Sequence, residues 1–72
     1  MKKVVFTICL NNLNQEILFR RYCRRYMKGW DLVEKDLMLR YTLCKIGHNF
    51  DNEIDRLASY LHKRFVKYSY KS

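Results

Sequence analysis

The sequence predicts a small α+β domain in which two amphipathic helices cover a short β-sheet. Residues 3–10 alternate apolar side chains as a strand does, and residues 51–68 repeat them at the helical spacing. Apolar residues make up 49% of the 72 residues and aromatic residues 15%, which excludes a disordered chain. We expect one domain over residues 1–72, because shorter pieces rarely fold without metals or disulfides.

The first predicted element is a strand over residues 3–10 that is apolar on both faces, and we expect it to be central or covered. A helix should follow from about Leu13 to Lys28, because Asn12 and Gln15 have the spacing of a capping box and Gly29 can end a helix. The helical face expected to pack on the strand carries Phe19, Tyr22, Cys23, Tyr26 and Met27.

Residues 30–46 fit two patterns. Leu32, Leu37 and Tyr41 fit a helical spacing, but Leu37, Leu39, Tyr41 and Leu43 also alternate as strand residues would. Because a lone strand leaves its backbone groups unpaired, we favour a strand over residues 37–44, in a hairpin with residues 30–33 that turns through 34–36. If the segment is helical instead, the fold is a three-helix bundle with an N-terminal strand.

The last predicted element is a helix that Asp51 caps and that runs to about Tyr68. Its apolar face carries Ile54, Leu57, Ala58, Leu61, Phe65 and Tyr68. The predicted order is therefore β-α-(β)β-α. We expect Trp30, the one tryptophan, to lie in the core, since a single Trp supplies much of the packing of a small domain.

The formal net charge of +8 is unevenly placed along the chain. Residues 1–30 carry +6, residues 31–55 carry −3 and residues 56–72 carry +5. Cations that fall one helical turn apart repel each other, and a face needed only for solubility would interleave acids. The cations, with one aromatic residue among them, predict an anion-binding surface formed by Arg20, Arg21, Arg24, Arg25, Lys28, Arg56, Tyr60, Lys63, Arg64 and Lys67.

This charge pattern favours a small nucleic-acid-binding accessory or regulatory protein that contacts the phosphate backbone of DNA or RNA through Arg-rich helix faces. The alternative is a protein-interaction module that inhibits a host enzyme or defence complex by docking on an acidic surface. The chain has one Ala and no Pro but many Lys, Asn and Tyr, which are residues with AT-rich codons. This composition is typical of phage and mobile elements as well as of AT-rich cellular genomes.

A third hypothesis is a small ribonuclease-like toxin that uses His48 or His62, although no catalytic motif surrounds either residue. We therefore expect no enzyme activity. Cys23, Cys44 and the two histidines lack the spacing of a zinc site, and no nucleotide-binding motif occurs, so we predict no metal and no cofactor.

The three cysteines form no paired motif, which favours the reducing cytoplasm, of the host cell if the protein is viral. No stretch reaches the ~20 apolar residues of a membrane span, and the N-terminal apolar run is too short for a signal peptide. If residues 3–10 find no partner strand within the chain, we expect a homodimer through strand pairing.

Overall fold

A computed structural model describes residues 1–35 and 39–72. The predicted turn over residues 34–36 is wrong at Glu34 and Lys35, which belong to a strand. Its last residue, Asp36, and the predicted strand start at Leu37 lie outside the described residues. The elements are, in chain order, β1 (Lys2–Cys9), α1 (Leu13–Tyr26), β2 (Asp31–Lys35), β3 (Arg40–Gly47), α2 (Asp51–Lys63) and β4 (Lys67–Lys71). The α+β prediction is confirmed, and the three-helix alternative is wrong because β2 and β3 occupy most of the ambiguous segment.

The four strands form one antiparallel sheet in the order β2-β3-β1-β4. Together with the helices this is the split β-α-β arrangement, also called ferredoxin-like. Strand β1 is central, as predicted, with β3 on one side and β4 on the other. The predicted homodimer depended on β1 having no partner strand within the chain. Both edges of β1 are paired within the chain, so this argument for a homodimer does not hold.

Both helices lie on one face of the sheet, where the core is. Val4, Phe6 and Ile8 point into this face and are fully buried. Leu57 and Leu61 of α2 are equally buried in the same apolar cluster. Since side chains alternate along a strand, the odd-numbered residues of β1 lie on the other face, which no helix covers.

The predicted cap of α1 is confirmed. The Asn12 side chain accepts a 2.9 Å hydrogen bond from the Gln15 amide. The Gln15 side chain does not complete the expected box, because its Oε1 atom accepts from the Asn11 amide instead. The helix ends at Tyr26 rather than near Lys28, and its last free carbonyl groups are partly satisfied by the Met27 amide.

Helix α2 begins at Asp51, but Asp51 is not its cap. The cap position belongs to Phe50 without a side-chain hydrogen bond, and the Asp51 carboxylate forms an ion pair with Lys2. Trp30 is buried as predicted, and its indole N–H donates to Glu53 of α2 at 3.2 Å.

The predicted C-terminal end of this helix is wrong. Helix α2 stops at Lys63, and residues 67–71 form strand β4 along the edge of β1. Tyr70 pairs with Phe6 across the two strands, and their rings stack with centroids 4.7 Å apart. Phe65, expected on the buried helical face, is 89% exposed.

Candidate anion-binding surface

The two helices meet along a line of tyrosine rings. Tyr22 of α1 stacks on Tyr60 of α2 with centroids 4.1 Å apart and planes inclined by 24°. Tyr26, one helical turn after Tyr22, lies 5.0 Å from it. These rings join the two basic helices that the sequence predicts separately.

Arginine side chains from both helices lie against these rings. The guanidinium carbon of Arg64 is 4.1 Å from the Tyr60 centroid. Arg25 and Arg56, which belong to different helices, lie 5.7 and 5.6 Å from the Tyr26 centroid. A guanidinium resting on an aromatic face is oriented by that contact while its N–H groups remain able to bind an oxyanion.

Two shallow depressions of about 170 and 250 Å³ share Tyr22, Tyr60 and Arg64 in their linings. Together with the ring contacts they define one continuous feature, which we call the Arg/Tyr surface. Its members are Arg21, Tyr22, Arg25, Tyr26, Arg56, Tyr60, Lys63 and Arg64.

The five cations of this surface form no salt bridge within the described part of the chain. The ion pairs found there join Lys2 to Asp51, and two further lysines to the glutamates Glu16 and Glu53. The carboxylates in these ion pairs are therefore bound to lysines outside the Arg/Tyr surface. Within the described residues, no salt bridge neutralises the positive charge between the helices.

Burial has the largest effect on the pKa values of the two tyrosine hydroxyls at the centre of the surface. It raises the pKa of Tyr22, and Arg56 opposes that rise. It raises the pKa of Tyr60 in the same way, against the effect of Arg64. Both hydroxyls therefore stay protonated and neutral at physiological pH, so they add no negative charge to the basic surface.

Three of the predicted cations lie elsewhere, along a cleft beside α1. Arg20, Arg24 and Lys28 help to line a space of about 340 Å³ between the helix and strands β2 and β3. The rest of its lining is mostly apolar and includes Trp30 and Leu43. Arg20 and Arg24 also line a depression with Arg21, so the row of cations extends from this cleft to the Arg/Tyr surface.

Lys67 is not on a helix face. It lies on β4 opposite Cys9, on the sheet face that the helices leave open. The prediction that Lys67 extends the helical basic stripe is therefore wrong, because the chain turns at Arg64 and Phe65 before reaching it.

The open face of the sheet offers a different surface. Register pairs place small side chains at its centre, among them Thr7 with Thr42 and Val5 with Cys44. Four-stranded sheets that recognise RNA stack bases on aromatic side chains of the sheet. No aromatic residue of the described strands lies on this open face, so stacking partners are found only on the helical side of the molecule.

The residues considered for metal binding or catalysis do not gather into a site. Over residues 1–35 and 39–72, no three His, Cys, Asp or Glu side chains are placed to hold a metal ion. His48 follows β3 and His62 lies in the last turn of α2, both exposed. None of the described helices is long and apolar enough to cross a membrane.

Sequence reasoning missed Tyr22 and Tyr26 as members of the surface, because their helical spacing placed them with the core residues. Tyr26 is 43% exposed, and Tyr22 is half-buried between the helices. The available signal was chemical: these positions carry Tyr, beside arginines, where a purely apolar face would carry Leu or Ile.

Comparison with models of protein families, with curated proteins and with solved structures finds no match to this chain. The fold alone does not assign an activity, since one topology serves many functions.

Proposed function

We propose that the protein is a small nucleic-acid-binding protein that holds the phosphate backbone on the Arg/Tyr surface. The observation that carries the proposal is the set of five cations, drawn from two helices, around three tyrosine rings and without a salt bridge among the described residues. Four of the five are arginines, whose planar forks match phosphate oxygens.

The aromatic rings favour nucleic acid over a simple acidic surface. A base can stack on an exposed aromatic face, or on a guanidinium that is itself stacked on a ring. A carboxylate can use the charge and the hydrogen bonds of the arginines but has no ring to stack. The half-exposed Tyr26 and the stacked pair of Arg64 with Tyr60 supply both kinds of platform.

The test is the binding of fluorescent oligonucleotides of about 20 nucleotides, single-stranded and duplex, followed by anisotropy at ~50 mM salt. The variant Arg25→Gln with Arg64→Gln removes one cation from α1 and one from the residue that follows α2. We expect its affinity to fall roughly tenfold or more, and the slope of log K against log salt to lose about 1.4 for single strands.

The matched control is Lys3→Gln with Lys71→Gln, which removes the same charge from exposed residues of β1 and β4. Their register partners place both on the open face of the sheet, away from the helices. We expect this variant to lose much less affinity. Equal losses in the two variants, or no binding by the wild-type protein, would overturn the proposal and favour an acidic protein partner.

A further inference from the structure

Phe65 occupies an unusual place in the turn between α2 and β4. Its side chain is 89% exposed, although phenylalanine is usually buried. Its φ angle is 57°, in the left-handed region that disfavours any residue with a Cβ atom. An exposed aromatic ring on a strained backbone is not explained by packing of the core.

Hydrogen bonds from α2, from α1 and from the residue just before its cap hold the turn in this conformation. The Asn11 side chain donates to the Phe65 carbonyl at 3.1 Å, and the Gln15 side chain donates to the Arg64 carbonyl at 3.0 Å. The Phe65 amide donates to His62 at 3.1 Å. The Val66 amide donates to the Leu61 carbonyl at 3.0 Å, so α2 ends in a Schellman motif whose left-handed position is Phe65. That position is usually glycine, and here it carries an exposed aromatic side chain instead.

Phe65 follows Arg64 directly, and the Arg64 guanidinium rests on Tyr60 of the Arg/Tyr surface. Leu18, which is 46% exposed, lines the same depression as Tyr60 and Arg64. The turn thus carries an exposed aromatic residue directly after the arginine that ends the Arg/Tyr surface. A strand whose phosphates lie on the arginines would bring its bases within reach of this ring.

We infer that Phe65 is a base-stacking residue and that the ligand of the Arg/Tyr surface is single-stranded nucleic acid. A base must be unpaired to stack on an aromatic side chain. In a duplex, only the ends offer a base face for such stacking. The inference rests on the proposed function, since the phosphate contacts on the arginines position the strand that the ring would read.

The experiment compares Phe65→Gly with the wild-type protein on the same single-stranded and duplex probes. Glycine adopts a positive φ without strain, so this variant should fold and melt at least as high as the wild type. We expect the single-strand Kd to rise about 5- to 160-fold, the range for loss of one stacked base. The salt slope should not change, because no charge is removed.

Two further variants make the comparison specific. Phe65→Trp keeps an aromatic ring and should retain single-strand binding. Val33→Ala removes an exposed apolar side chain, 62% exposed on the edge strand β2, and should leave binding unchanged. Duplex binding should be nearly the same for all of these proteins.

The outcomes separate this inference from the proposed function. If Phe65→Gly binds single strands as the wild type does, while Arg25→Gln with Arg64→Gln loses affinity, the inference is overturned and the proposed function stands. If Phe65→Gly loses duplex and single-strand affinity equally, stacking is also overturned. If no oligonucleotide binds the wild-type protein, both fail together, and a pocket for Phe65 on a partner protein becomes the next hypothesis.

Discussion

The hydroxyl of Tyr41 donates a 2.8 Å hydrogen bond to the carboxylate of Glu16, which joins strand β3 to helix α1 inside the protein. Lys35, on the neighbouring strand β2, places its Nζ atom 3.1 Å from the same carboxylate. Glu16 is the one buried charged residue in the described chain. A buried carboxylate is tolerated because both partners favour its ionised form.

The first prediction concerns stability in acid. The Tyr41 hydrogen bond, followed by that from Lys35, lowers the pKa of Glu16 below its usual 4.5. Hydrogen bonds from Lys45 lower the pKa of Glu53 in the same direction. Because these pKa values are lower in the folded state, the stabilisation is present above pH ~4.5 and is lost as the pH falls through the folded values.

We therefore expect the Tm of the wild-type protein to fall between about pH 5 and pH 3, as measured by circular dichroism. Glu16→Gln should melt lower at pH 7 and lose less Tm over that interval. The exposed Asp55→Asn, with the same change in charge, serves as the control. An acid dependence in Glu16→Gln as steep as that of the wild type would contradict the assignment.

A second prediction concerns the unpaired hydroxyl of Tyr22. In the described part of the structure this buried oxygen has no hydrogen-bond partner, which is costly. Tyr22→Phe keeps the ring stacked on Tyr60 and removes the oxygen. We expect the variant to be stabilised by roughly 1 kcal/mol, a rise in Tm of about 4–8 °C for a domain of this size.

Tyr60→Phe is the comparison for that variant, since the Tyr60 hydroxyl is not among the unpaired buried atoms. A lower Tm for Tyr22→Phe would mean that its hydroxyl has a partner in solution, such as a bound water. Oligonucleotide affinity should be unchanged in Tyr22→Phe, because the ring and the arginines around it remain.

The strand β1 could be predicted from the sequence because its pattern is strong. Val4, Phe6 and Ile8 alternate with half-buried residues, and a short run of β-branched and aromatic residues fits a central strand. The cap at Asn12 could also be predicted from the sequence. A short amide side chain just before an apolar helical repeat caps the helix through a local hydrogen bond, which requires no tertiary contact.

Strand β4 could not be predicted in the same way, because two periodicities overlap there. Leu61, Phe65 and Tyr68 fit the helical spacing, while Val66, Tyr68 and Tyr70 fit the alternation of a strand. No Gly or Pro marks the boundary. Helix α2 ends in a Schellman motif with Phe65 at the left-handed position, where a sequence signal would be Gly. Side-chain hydrogen bonds from Asn11 and Gln15, some fifty positions earlier, add support that the local sequence does not show.

The candidate site shows a similar division. The concentration of cations on two helices is a property of the sequence, but which of them come together depends on how the helices pack. Arg25 and Arg56 meet at Tyr26, whereas Arg20 faces the cleft beside β2 and β3. Helical spacing places the α1 cations within one broad arc and cannot say which edge of that arc faces α2.

A third prediction tests the cap of α1. Asn12→Ala removes the acceptor for the Gln15 amide and should cost about 1 kcal/mol, or about 4–8 °C in Tm. Asn14→Ala, the same change at an exposed position within the helix, is the control and should be neutral or slightly stabilising. Equal losses of Tm in the two variants would show that the cap contributes nothing.

The last prediction concerns the reactivity of Cys23. Cys23 belongs to α1 and packs against the core, and this burial raises the pKa of its thiol to about 12, from 9.0 for a free cysteine. Since the thiolate is the reactive form, alkylation at pH ~8 should be about 1000-fold slower in the folded protein than after unfolding in ~6 M guanidinium. The variant Cys9→Ser with Cys44→Ser leaves Cys23 as the sole thiol, so mass spectrometry of the intact protein after iodoacetamide treatment measures it directly.

The converse variant, Cys23→Ser, isolates the two thiols of the open sheet face, which are partly exposed. In the folded Cys23→Ser variant, these two thiols should be alkylated faster than Cys23 is in the folded variant that keeps Cys23 alone. No helix covers the open face, so the reagent reaches them without unfolding. If Cys23 in the folded protein reacts as fast as it does in guanidinium, the packing of α1 on the sheet is looser than the buried Phe19 beside it indicates.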